Sequence, residues 1–97
     1  MNIAKARQIA VEYATAHSGG SFTPQIIDED IIETDNGWIF FYDSKEFLET
    51  NDFSYAIAGN GPLAVSKKNG ALYALNPSIG IASIISDFES RIENANT

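Results

Sequence analysis

The sequence predicts an α+β fold: an antiparallel sheet of about four strands, arranged as two hairpins, flanked by an N-terminal and a C-terminal helix packed on one face. Three observations carry this reading. Apolar residues recur at helical spacing at the two ends of the chain, β-branched and aromatic runs fill the middle, and the turn signals Asp35-Asn36-Gly37 and Lys68-Asn69-Gly70 divide those runs into pairs. Runs of strands bracketed by helices belong to the α+β class, whereas a parallel sheet needs a helix between strands. At 97 residues the chain is a single domain, 1–97, with no tract that would serve as a linker.

Residues 2–17 form the first helix, because Ile3, Ala6, Ala10, Tyr13, Ala14 and His17 share one stripe while Lys5, Gln8 and Glu12 lie elsewhere on the wheel. Gly19-Gly20 supplies the left-handed stop common at a helix C-terminus. Pro24 opens the next segment. Over residues 25–34, Ile26-Ile27 and Ile31-Ile32 predict a strand, but Asp28-Glu29-Asp30 breaks its alternation, so a bend, bulge or exposed edge is expected there. Asn36-Gly37 tolerates the positive φ angles of a type I′ turn and leads into a strand over 38–43. Trp38, Phe40 and Tyr42 should share one face and Ile39 and Phe41 the other, and with both faces apolar this strand should be central.

Residues 44–61 carry Phe47, Leu48, Phe53, Tyr55 and Ile57, too many large apolar side chains for a solvated loop. They are expected to pack over the sheet, with a short helical turn at 45–49. Gly59-Asn60-Gly61-Pro62 then turns the chain into the second hairpin, whose arms are 63–67 and 71–75. Ile81, Ile84, Ile85, Phe88 and Ile92 follow the helical period and predict a helix over 79–93.

Composition excludes several function classes. The absence of cysteine removes disulfides, thiolate metal sites and cysteine nucleophiles. Six Lys and Arg against thirteen Asp and Glu give a net charge of −7, which argues against phosphate-dependent binding to nucleic acid or to an anionic membrane. The apolar run 38–42 is far shorter than the ~20 residues that cross a bilayer, and the N-terminus lacks a signal-peptide pattern, so cytoplasmic residence is expected. His17, the sole histidine, sits where it favours the negative end of a helix dipole and has no nucleophile or second histidine to work with. Counting an EF-hand loop from Asp28 puts Glu33 at the position that needs glycine, and Gly59-Asn60-Gly61-Pro62 lacks the pattern of a phosphate loop. No metal, cofactor or catalytic residue is predicted.

The charge is regional. Nine of the thirteen carboxylates fall between residues 28 and 52, with Lys45 the only base there, so that window carries −8 while the rest of the chain carries +1. Solubility and protection of a strand edge account for such a region in general. The sharper reading is a negative field that steers a basic partner and whose self-repulsion that partner relieves.

The ordered series Gly37-Trp38-Ile39-Phe40-Phe41-Tyr42-Asp43-Ser44, then Glu46-Phe47-Leu48-Glu49-Thr50-Asn51-Asp52, then Ala58-Gly59-Asn60-Gly61-Pro62-Leu63-Ala64-Val65-Ser66-Lys67-Lys68-Asn69-Gly70 resembles the YrhB-like domain, also called the immunity protein 35 family. The resemblance runs over residues 37–75, and the flanking helices agree with it; residues 25–34 are its least recognisable part. It implies a small bacterial cytoplasmic protein without enzymatic activity that binds and neutralises a cognate toxin of a polymorphic or contact-dependent system. A heat-stable, chaperone-like protein that holds unfolded chains is the alternative it implies. The family supplies no catalytic residues, and Trp38, Gly59, Asn60, Gly61, Pro62 and Gly70 read as core anchor and turns. Charge and resemblance together predict a protein partner, a toxin with a basic surface, bound by a monomer or weak homodimer. Asp28, Glu29, Asp30, Glu33, Asp43, Glu46, Glu49 and Asp52 are the expected contact residues, with Tyr42, Phe47 or Tyr55 as an aromatic anchor.

Overall fold

In the computed structural model, which describes residues 1–57, 60–77 and 80–95, three helices accompany two antiparallel sheets. Helix α1 spans Ile3–Ser18. Asn2 caps it by accepting a hydrogen bond from the Lys5 amide at 2.9 Å, and Gly19 ends it in the left-handed conformation at φ 62°. Strands β1 (Pro24–Ile26), β2 (Ile32–Thr34), β3 (Gly37–Phe40) and β4 (Tyr42–Ser44) follow, then helix α2 (Lys45–Thr50), strands β5 (Leu63–Ser66) and β6 (Leu72–Ala74), and helix α3 (Ile81–Ala95). The main sheet has the order β2-β3-β5-β6, and β1 pairs with β4 in a separate two-stranded sheet. Both expected hairpins are therefore present, joined through β3 and β5, with β3 central as predicted.

The two helices do not share a face of the sheet as expected; they cover opposite ones. Register pairs Trp38 with Val65, Ile39 with Ala64 and Phe40 with Leu63. Because side chains alternate along a strand, Trp38, Phe40, Leu63 and Val65 all point to one side, where they pack on Ala6, Ala10 and Ala14 of α1 together with Ile26. Ile39 and Ala64 point to the other side, where Leu75 and the Ile84 and Phe88 side chains of α3 cover them. A central pair of strands that is apolar on both faces needs a layer on each. Alanines line the buried stripe of α1, so that helix lies close against the large Trp38 and Phe40 side chains; α3 instead brings its own bulk to the small Ala64.

The first hairpin bends where the three carboxylates interrupt it. Between the pairs Ile26–Tyr42 and Ile32–Ile39, residues 27–31 lie opposite only Phe40 and Phe41. The surplus is taken up as a 3₁₀ turn at Asp28–Asp30, anchored by the Ile27 amide donating to the Phe41 carbonyl at 2.9 Å. The expected strand over 38–43 is divided at Phe41 into β3 and β4 for the same reason.

Two further expectations change. Gly37 does not adopt positive φ and the turn is not type I′: among the described residues positive φ occurs only at Gly19, Gly20, Asn51 and Gly70. The Thr34 hydroxyl holds the turn instead, accepting from the Asn36 and Gly37 amides at 3.2 Å each. Gly37 is needed as the first residue of β3, where a Cβ would run into the Val65 carbonyl and the Phe88 ring. The segment 44–57 also adds no apolar side chain to the two clusters that cover the main sheet. No residue of α2, or of the 3₁₀ turn Phe53–Tyr55, is buried. Gly70 does turn the second hairpin, at φ 71°, and Gly61 admits the Leu75 carbonyl where a Cβ would clash. Gly59 of the expected turn and residue 79 of the expected helix lie outside the described residues.

Candidate partner-binding surface

The acidic residues divide into two groups with different local chemistry. The first group surrounds the 3₁₀ turn. Asp28 is held from the neighbouring helix by a two-pronged contact, Arg7 Nε to one carboxylate oxygen at 2.8 Å and Nη2 to the other at 3.1 Å. This hydrogen bonding keeps the Asp28 carboxyl below its ordinary range and raises Arg7 in return. Glu33, on β2, accepts from the Lys67 ammonium at 2.8 Å, and that ammonium also stands 5.3 Å from the Trp38 ring centroid. The contact with Lys67 likewise depresses the Glu33 carboxyl. Glu29 and Asp30 are exposed and have no cationic partner among the described residues.

The second group sits on a lobe, residues 44–57, built from local capping interactions. Ser44 is fully buried; its hydroxyl accepts from the Phe47 amide at 3.0 Å, starting α2, and donates to the Tyr55 carbonyl at 2.6 Å. Asp43 accepts from the Ser44 amide at 2.8 Å and from the Ile57 amide at 2.9 Å, which ties the far end of the lobe to β4. Asn51, at φ 58°, stops α2. Asp52 then accepts from both the amide and the hydroxyl of Ser54, which holds its carboxyl below the usual range. These fasteners set Phe53 outward, 82% exposed, with its ring centroid 5.5 Å from that of half-buried Phe47. Tyr55 is 50% exposed beside them.

Glu46 and Glu49 complete the lobe. Glu49 makes an exposed contact with Lys45 at 3.9 Å. One Glu46 carboxylate oxygen is shut away from solvent with no hydrogen-bond partner among the described residues, a condition buried polar atoms rarely tolerate. A groove of about 330 Å³ runs alongside, lined by Ser21, Phe22, Ser44, Glu46 and residues 54–57.

Of the residues singled out from sequence, the fold brings Glu46, Phe47, Glu49, Asp52 and Tyr55 onto this lobe. Asp43 serves as its fastener, while Asp28 and Glu33 are occupied by cations of the chain itself. Tyr42 lies half-buried against the Trp38 cluster, where desolvation raises its pKa. Phe53 was not among the expected anchors. Its signal was local: an Asx-type turn at Asp52-Phe53-Ser54 directly after a helix stop holds the intervening ring off the core. His17 stacks on Tyr13 with centroids 3.9 Å apart, and its Nδ1 is 2.9 Å from the Tyr13 carbonyl, which is a contact within α1. Among the described residues, no group of three or more His, Asp or Glu is placed to hold a metal ion, and no helix is long and apolar enough to cross a membrane.

The family model for immunity protein 35 matches residues 4–87, which takes in α1, every strand, the lobe and the first half of α3. This chain belongs to the immunity protein 35 family. It is also 34% identical over 53 residues to a protein of Escherichia coli (strain K12) named "Uncharacterized protein YrhB". That match spans 55% of this chain and 56% of the relative, so the chain aligns with little more than half of that protein's length. No solved structure matches.

Proposed function

We propose that this member of the immunity protein 35 family is a non-enzymatic, cytoplasmic bacterial protein that neutralises a cognate toxin by binding it through the acidic aromatic lobe at 44–57. The supporting observation is an aromatic side chain, Phe53, left 82% exposed on a locally capped lobe that also carries Glu46, Glu49 and Asp52. Local hydrogen bonds hold the backbone that carries the ring before any partner arrives, which lowers the ordering entropy that opposes binding. Aromatic anchors with carboxylates at their rim suit a basic partner surface, with the ring supplying affinity and the charges supplying rate and orientation. A standard interface takes about 800 Å² from each partner, roughly a seventh of the 5813 Å² that this chain exposes. The lobe forms the centre of that area, and the unpaired Glu29 and Asp30 add to the long-range field.

The test combines Glu46→Gln, Glu49→Lys and Asp52→Asn, which removes all three negative charges and adds a positive one while Asn keeps the cap at 52. Slower association with the cognate toxin domain, and a flatter salt dependence, support the lobe. Unchanged association at every salt concentration removes it.

A second reading, a chaperone-like holdase, draws support from the exposed apolar side chains Phe53 and Ile81. A holdase suppresses aggregation of unrelated unfolded proteins at comparable stoichiometry; an immunity protein binds one folded toxin at 1:1 and leaves such aggregation unchanged.

A further inference from the structure

We propose that the open edge of the main sheet is a second docking surface, separate from the lobe, that takes an extended protein segment with alternating aliphatic side chains and a Lys or Arg at one end. Among the described residues, β2 is an edge strand, paired with β3 on one side only. Beside it lies a groove of about 480 Å³ between β2, the 3₁₀ turn and the first turn of α3. Its apolar lining comes from Ile31, Ile32, Phe41, Ile84 and Ile81, the last 60% exposed. Glu29 and Asp30 complete its lining.

The charge arrangement selects the occupant. Asp28 and Glu33, which flank the groove residues 29–32 in sequence, are neutralised from within the chain by Arg7 and Lys67 respectively. Glu29 and Asp30 are the two carboxylates of this region left without a cation, and they are the ones that line the groove. A strand added to β2 sends alternate side chains toward the α3 face, where Ile32 already points, and into the groove. Its end that passes the 3₁₀ turn meets both free carboxylates, which attract a basic residue and repel an acidic one. The same charges keep this edge from pairing indiscriminately. A second copy of this chain is a poor occupant. Arg7, Lys45, Lys67 and Arg91 are engaged with carboxylates of their own chain, leaving Lys5 in a helix and Lys68 in a tight turn, neither of them on an extended aliphatic segment.

The experiment is an amide-resolved NMR titration of the full chain with the peptide acetyl-Arg-Lys-Val-Thr-Ile-Thr-Val-amide, against the same peptide with Glu-Glu in place of Arg-Lys. Saturable shifts confined to residues 29–34 and 80–84, absent with the acidic peptide, are expected. The double variant Glu29→Lys/Asp30→Lys and, separately, Ile81→Ser should each weaken binding about tenfold, while Phe53→Ser leaves it unchanged. Equal binding of both peptides, shifts centred on the lobe, or insensitivity to both groove variants overturns the proposal. So do shifts of the same amides with protein concentration alone, which would mark a second copy as the occupant.

Discussion

Replacing Phe53 with serine separates folding from binding more cleanly than any other substitution in this molecule. A phenylalanine side chain offers about 200 Å² of surface, worth about 25 cal/mol per Å² when removed from water. Folding covers less than a fifth of the residue, since 82% of it remains exposed. The loss to the isolated protein is then under ~1 kcal/mol. The remaining area is worth up to ~4 kcal/mol to an interface that covers it, and a central aromatic anchor loses at least about 2 kcal/mol on truncation, close to thirtyfold in affinity. Urea denaturation followed by tryptophan fluorescence measures the first quantity, because the single Trp38 lies in the core. Calorimetric titration with the toxin domain measures the second. A variant with near-native unfolding midpoint and thirtyfold weaker binding matches the reasoning. Unchanged affinity refutes the assignment of the lobe, and a stability loss above about 3 kcal/mol would show instead that Phe53 is part of the core.

Other perturbations report on the scaffold. Phe88→Ala empties the centre of the cluster beneath α3, where Phe88 is fully buried, and should cost about 3–5 kcal/mol in denaturant unfolding. Gly37→Ala should also destabilise strongly, because the added methyl displaces the Val65 carbonyl or the Phe88 ring; an unchanged midpoint would show that β3 and β5 can separate at no cost. Asp28 has its folded pKa lowered by Arg7, so its contribution is complete above the ordinary carboxylate value of about 4 and is lost as pH falls through the lower folded value. Stability should therefore drop more steeply between about pH 4 and 2 in the native protein than in Asp28→Asn, and parallel curves would contradict this. Glu46→Gln removes the charge from a carboxylate with one buried, unpartnered oxygen and should leave the midpoint equal or higher.

Much of this architecture was legible in the sequence. Period and capping residues located α1 and α3, and the turn residues located both hairpins, because these signals are local. The opposite placement of the helices was present in the alternation of Trp38, Ile39 and Phe40, since two apolar faces demand two layers, but which helix covers which face is decided by volume matching across the sheet. The lobe misled for a different reason. Large apolar residues usually mean burial, yet Ser44, Asn51 and Asp52 satisfy the backbone locally and leave Phe53 and Tyr55 free to face solvent. Gly37 followed the same pattern: its dipeptide suggested a turn, while its place in the fold is set by the approach of β5 at Val65, distant in the chain. The acidic window was legible as charge, but only the packing shows that Arg7 and Lys67 neutralise part of it.

The most direct measurement is hydrogen exchange of this protein alone and in complex with the proposed toxin partner. A 1:1 complex with new protection concentrated at residues 44–57, and the remaining sheet amides unchanged, is the expected result. Protection spread over the α1 or α3 surfaces with the lobe still exchanging freely, or the absence of a defined stoichiometry, would contradict it.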